Sequence, residues 1–409
     1  MTVLCEEYSH VRSVSLGVWV KIGSAYEKPK QNGISHFIEH MVFKGTETRN
    51  ALEISTAIES VGGELNAFTE RELTCFHASV LSENVETAID VLSELVTKPM
   101  FSKIELQRER GVLLQELAMT LDSPEECLME AYLHAVWGKA ALGQPIIGNK
   151  KTISNISRSE LVSFFKQNYV ASNIVVSVAG NVPFEKIIDL CEKYFQFEKP
   201  KKWIPLETVS PIYTPKKKSI PSDTEQAYFV AGFEACGMSD PHRYAALLLS
   251  FILGGGMSSR LFQKVRENAG LAYSIDCDFT PYQKTGLFSI FANLNSKSLK
   301  ECLKILGQEL RKIKTELIDQ SELDLVKGQL RGSILLSSDQ MEVRQEALAR
   351  NEIYFQKHFS AEGILATLDL VTLEQMKQVA ETVFTEEKES LIVLARKEPK
   401  MKNLSVMSL

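Results

Sequence analysis

The chain has 409 residues, 44% apolar and 24% charged, the composition of a globular protein with a sizeable core and two or three domains. Forty-six Lys and Arg against 52 Asp and Glu leave a net charge of −6, with no cationic surplus for a nucleic-acid backbone. The seven cysteines (Cys5, Cys75, Cys127, Cys191, Cys236, Cys277 and Cys302) form no C-x-x-C pair, an odd set that points to free thiols in a reducing compartment. No apolar run is long enough to span a bilayer, and MTVLCEEYSH reads as neither a signal nor a transit peptide. A cytoplasmic protein with no membrane and no nucleic-acid partner is therefore expected.

In chain order, alternation predicts a strand over Gly17–Ser24 (GVWVKIGS), then a helix ending at Lys44-Gly45. A helical stretch around Leu52–Ser60 precedes Gly62-Gly63 and a hairpin, LNAFTERELTCFHASV. Two helical patterns follow, the second from Ser102 to about Thr120. Residues 197–222 carry Pro200, Pro205, Pro211, Pro215, Pro221 and two lysine clusters, a density that disfavours helix and sheet and reads as a semi-rigid connector. Beyond it the order recurs at an offset of roughly 210 residues. AYFVAGFEA is the strand, YAALLLSFILGGG and RLFQKVREN the helical stretches, AYSIDCDF and LFSIFANL the next strands, with helices from about Lys297. The fold class expected is α+β: two homologous repeats, each a mainly antiparallel sheet with helices on one face. The repeats are placed at 1–198 and 223–409, joined by a linker over 199–222.

The helix over Gly33–Phe43 carries two stripes. Ile34, Phe37, Ile38, Met41 and Val42 recur at helical spacing and form the face for the core. His36, Glu39 and His40 lie at i, i+3 and i+4 on the adjacent face, so their side chains point the same way. Two histidines one turn apart can both reach a single zinc ion, and the carboxylate between them is placed to act on water at the metal instead of ligating it. This composition would yield H-x-x-E-H by chance only about 0.01 times per chain, which favours the metal over two ordinary surface histidines. A third ligand is available downstream. ELQRERGVLLQELAM is helical, with Glu109 and Glu116 seven apart on one stripe, and Glu116 sits in an apolar run where a carboxylate is costly to bury unless it meets a cation. Alone, these two glutamates would read as surface charge.

H-x-x-E-H is the inverted zincin signature. GISHFIEHMVFKGT, followed by Glu116, resembles the pitrilysin family of zinc metallopeptidases, in its short, mitochondrial-processing-peptidase-like branch. The resemblance runs over nearly the whole chain and includes VGGELNAFTERELTCFHASV and SSRLFQKVRENAGLAYSI. It implies His36, His40 and Glu116 as ligands of one zinc per chain, Glu39 as general base and Glu109 as the acid behind a ligand. Asn66 and Ala67 would belong to the strand that pairs with substrate backbone, and Arg266 and Tyr273 would be donors to the tetrahedral oxyanion. Glu126 and Glu130, one turn apart, could receive a basic residue of the peptide, though a solvated helix face fits them equally. The chain starts a few residues short of the family's usual beginning, which bears on a sheet edge and not on the site. In the second repeat the stretch equivalent to HFIEH reads LLLSF, so no metal is expected there.

The function implied is a zinc-dependent endopeptidase acting on extended or unfolded peptides and presequence-like segments, working as a homodimer with shared active sites. A non-catalytic structural subunit of the same fold is the alternative, as is a metal-storage module. Neither needs the complete set of His36, Glu39, His40, Glu116, Arg266 and Tyr273.

Overall fold

The computed structural model describes residues 1–197, 203, 211–397, 399–401 and 404–408. Of the linker expected over 199–222, residues 199–202 and 204–210 lie outside the described residues. The first half of the chain runs β1 (Thr2–Glu7), β2 (Ser13–Val20), α1 (Ile34–Val42), α2 (Ala51–Glu59), β3 (Glu64–Thr69), β4 (Thr74–Leu81), α3 (Val85–Thr97), α4 (Lys103–Asp122), α5 (Pro124–Trp137), α6 (Lys150–Asn155), α7 (Arg158–Asn168), β5 (Ile174–Gly180) and α8 (Phe184–Tyr194). The second half runs β6 (Lys217–Pro221), β7 (Gln226–Ala235), α9 (Arg243–Gly254), β8 (Ala272–Pro281), β9 (Gly286–Asn295), α10 (Leu299–Thr315), α11 (Gln320–Ser337), α12 (Met341–Phe355), α13 (Ala361–Asp369), α14 (Leu373–Val383) and β10 (Ser390–Ala395).

Two five-stranded mixed sheets result, ordered β1-β5-β2-β4-β3 and β6-β10-β7-β9-β8. Replacing each strand of the first by its counterpart in the second gives the same order. Each sheet has one parallel pair, β1 with β5 and β6 with β10, and is otherwise antiparallel. The chain divides into two compact units. The first comprises residues 1–119, 144–209 and 336–358; the second comprises 120–143, 210–335 and 359–409. Thus α5 belongs with the second sheet and α12 with the first.

In the first unit, alternate residues of the sheet (Val14, Leu16, Val18, Phe76, Ala78, Val176, Val178) are buried against the apolar stripes of α1 and α3. The opposite face is covered by α12. There Trp19 Nε1 donates to Ser177 Oγ at 2.9 Å and to Gln345 Oε1 at 3.2 Å. Gly17 leaves room beneath this helix, where a Cβ would lie 2.1 Å from Gln345 Oε1 and 2.4 Å from Trp19 Nε1. The second unit buries the corresponding face of β7 and β9 (Phe229, Phe233, Phe288, Ile290) against α9, α10 and α14.

Three local readings shift. The strand expected over Gly17–Ser24 lies at Ser13–Val20, because β4 and β5 both pair along that whole stretch and Ile22 N–H turns back to Val20 O. Lys217–Pro221, inside the proline-rich stretch, is a strand; it holds a sheet edge, where proline is tolerated. RLFQKVREN winds as a π-helical turn over Phe262–Asn268. All seven cysteines are free thiols, and no helix among the described residues is long and apolar enough to cross a membrane.

Candidate metal centre

The centre is built on α1. The helix starts after Gly33, whose φ of 93° is a conformation that glycine takes without strain and whose Cβ would meet Ile147 O at 2.6 Å. Its first turn is held by Glu27, which accepts from the backbone N–H of Gly33 (2.7 Å) and of Ser35 (2.8 Å) and from Asn32 Nδ2 (3.1 Å). A carboxylate there satisfies N–H groups that the helix cannot pair itself. Burial pushes the Glu27 carboxyl up to about 7, against those hydrogen bonds. Ile34, Phe37, Ile38, Met41 and Val42 are all buried, as their spacing requires, and this fixes the rotation of the helix.

That rotation presents His36, Glu39 and His40 together toward α4. The two imidazoles lie with ring centroids 4.7 Å apart. Glu116 reaches both: Oε1 lies 3.5 Å from His36 Nε2, and Oε2 lies 3.4 Å from His40 Nε2. One ligand atom from each of the three residues falls within 4.8 Å of the others, the only such His/Cys/Asp/Glu group of three or more among the described residues. Donors about 2.0–2.1 Å from a tetrahedral zinc stand about 3.3 Å apart, so two imidazole nitrogens and one carboxylate at these separations fit that ion.

The acids around the histidines differ in burial. Glu109 is only 6% exposed and bonds His40 Nδ1 through Oε2 at 3.2 Å, its other oxygen receiving Lys44 Nζ at 2.9 Å. Glu116 is 42% exposed. The apolar run around Glu116 thus does not bury it, because the neighbouring apolar residues Val112 and Met119 are themselves exposed. A carboxylate on the far nitrogen of a histidine fixes its tautomer and ring orientation.

Electrostatics separate the two histidines. Burial lowers His36 to about 4, only partly opposed by Glu116, so its imidazole is neutral at pH 7. His40 also pays desolvation, but its hydrogen bonds to Glu116 and Glu109 prevail and raise it. Glu116 is lowered, chiefly by its hydrogen bond to His40. Glu39 goes the other way, raised by burial against a hydrogen bond from Thr69 Oγ1 to its Oε2 at 2.5 Å. A carboxylate with raised affinity for a proton, beside a carboxylate held ionised, is the division expected of a proton carrier and a ligand.

Thr69 ends β3, an outer strand of the first sheet, which places Glu39 at that strand's end. Asn66 and Ala67 lie within β3 opposite His77 and Phe76, and Ala67 N–H donates to Asn66 Oδ1 at 2.8 Å. A cavity of about 420 Å³ opens beside the strand, lined by Asn66, Phe43, His77 and the carboxylates of Glu59, Glu64 and Glu342. Arg266 and Tyr273 lie in the second unit. They come together, the guanidinium 5.9 Å from the Tyr273 ring centroid and 4.6 Å from that of Phe262, and Tyr273 is exposed. Glu126 and Glu130 are on α5 of the second unit, Glu126 exposed and Glu130 half-buried. Glu27, Thr69 and Lys44 were not singled out from the sequence. The only local sign was the acid seven residues before the helix.

Residues 2–150 match the model of the insulinase family, peptidase family M16, and residues 155–330 match the peptidase M16 inactive domain. A Bacillus subtilis protein named as an uncharacterized zinc protease is 35% identical over 386 residues, covering 94% of each chain. One so named from Rickettsia felis is 35% identical over 398 residues, covering 96% of this chain and 95% of its own. Among solved structures, a peptidase M16 inactive domain from Pseudomonas fluorescens superposes with a TM-score of 0.88 at 20% identity, over 97% of this chain and 95% of that one, a likeness of fold. With both halves matched in order and relatives of this identity aligned almost end to end, the chain belongs to the insulinase family, peptidase family M16.

Proposed function

We propose that the chain is a zinc endopeptidase that cleaves extended or unfolded peptides, presequence-like segments among them. The observation that carries this reading is the grouping of His36, His40 and Glu116 with Glu39 beside them and outside the ligand set. His36 Nε2, His40 Nε2 and a Glu116 oxygen would hold one zinc. Bound there, the ion would supply Lewis-acid chemistry, polarising a carbonyl and acidifying water. Glu39 takes a proton from the attacking water on its free carboxylate oxygen and returns it to the leaving amine, a role suited by its raised proton affinity. Thr69 Oγ1 positions that carboxylate through the other oxygen. Glu109, backed by Lys44, orients His40.

The substrate adds as a further strand along the free edge of β3 at Asn66 and Ala67, its alternate side chains facing the neighbouring cavity. Arg266 and Tyr273 stabilise the oxyanion, and Glu126 and Glu130 receive a basic side chain. The protein works as a homodimer in which the Arg266/Tyr273 pair of one chain serves the metal centre of the other. The Arg266/Tyr273 pair and the metal centre lie in separate units of the chain.

The test is cleavage of an unstructured peptide of about twenty residues, followed by mass spectrometry, with and without a chelator. Internal cuts that vanish on chelation and return with zinc are expected. Chelator-resistant cleavage, or removal of terminal residues only, contradicts the reading.

A further inference from the structure

The largest of the cavities described here, about 710 Å³, opens in the first unit between the segment that ends α3 and helix α7, and shares no lining residue with the metal centre. Its wall is aromatic. Phe165 and Tyr169, one turn apart on and just after α7, stack with centroids 4.3 Å apart, and Phe101 meets Phe165 edge-on at 5.2 Å. Phe197 lines the cavity as well. Its remaining charge is mostly cationic, from Lys98, Arg158 and Lys166 against the single acid Glu47. Among the described residues no carboxylate pairs with any of the three cations.

The wall is also preformed. Phe101 has φ of 46°, a left-handed conformation that a bulky residue rarely takes. It is held there by Arg158, whose Nε donates to Phe101 O at 2.6 Å and whose Nη2 donates to Met100 O at 3.2 Å. Backbone strain sustained by a buttressing side chain beside a concave apolar surface is characteristic of binding sites.

We infer that this cavity binds an amphipathic carboxylate, a small molecule whose acyl or aromatic body lies on the Phe165–Tyr169 stack and whose anionic head meets Lys98, Lys166 and Arg158. An apolar wall selects for the body, and cations with no described carboxylate partner, Lys98 half-buried and Arg158 and Lys166 exposed, select for the charge. A neutral molecule of the same shape gains the first contribution without the second.

The experiment compares decanoate with decanol by isothermal titration on the zinc-loaded full chain at low ionic strength. Decanoate should bind about tenfold or more tightly than decanol, and the difference should shrink as salt is raised. Lys98→Glu/Lys166→Glu alters side chains with no described ion pair; it should weaken decanoate by about tenfold while moving decanol less than about twofold. Val162→Trp, which fills the cavity, should remove both ligands. Equal affinities for acid and alcohol, undetectable decanoate binding at millimolar concentration, or decanoate binding untouched by both variants would overturn the assignment.

Discussion

The two units share a strand order and differ in what the helix after their central strand carries. After β2 comes α1, whose buried stripe is accompanied by a second stripe of His36, Glu39 and His40. After β7 comes α9, where Ala245, Ala246, Leu248, Leu249, Ile252 and Leu253 are buried and the one buried hydroxyl, Ser250, bonds its own helix at Leu247 O. The long helices repeat the contrast. Glu309 on α10 is a buried acid that pairs with Lys264, and Glu94 on α3 pairs with Arg49 at 2.8 Å. Glu109 on α4 is equally buried but divides itself between Lys44 and a histidine. The fold thus asks only for an apolar stripe at each of these places, and the polar residues grouped in the first unit stand on a scaffold that the second unit builds without them.

The most severe way to break this contrast is to make the first unit resemble the second. His36→Ala/His40→Ala removes two of the three proposed ligand atoms, so on this proposal zinc measured by atomic absorption should fall from about one per chain to near zero, with peptidase activity. Retained zinc would place the metal elsewhere.

A smaller effect sharpens the division of labour between units. If two chains share their sites as proposed, Glu39→Gln and Arg266→Ala/Tyr273→Phe proteins should each be nearly inactive alone. After verified subunit exchange, activity should recover to about a quarter of wild type, because half the dimers are mixed and one site in each is whole. No recovery would mean that each site is completed within one chain.

The mildest effect concerns the start of α1. Burial holds Glu27 at about 7, above an ordinary glutamate near 4.5, so between these values the folded state keeps a proton that the unfolded state releases. Stability from this group is therefore present at low pH and lost as pH rises toward 7. Relative to Glu27→Gln, the metal-free wild type should lose roughly 1–3 kcal/mol between pH 4.5 and 7 in urea unfolding. Parallel curves for the two proteins would show that Glu27 does not titrate there.

Features carried by local spacing were legible in the sequence. The stripes of α1 follow from positions three and four apart, and the repeat follows from the recurring order of strand and helix. What escaped depends on contacts distant in sequence. Thr69 lies 30 residues from Glu39, and nothing in either neighbourhood signals their bond. An apolar run around Glu116 looked like burial, yet periodicity does not say whether Val112 and Met119 meet another layer. Nor does it say which sheet an amphipathic helix covers. Gln345 on α12 bonds Trp19 from 326 residues away, and α5 packs with the second sheet although it follows α4 directly.

Glu39→Gln tests the central claim most directly, since it preserves shape and removes only the ability to carry a proton. Zinc content should match wild type while turnover of an unfolded peptide falls by about 10²–10⁴-fold, with peptide binding retained. Loss of zinc, or turnover within about tenfold of wild type, would contradict the assignment of Glu39 as the base beside a His36, His40 and Glu116 metal centre.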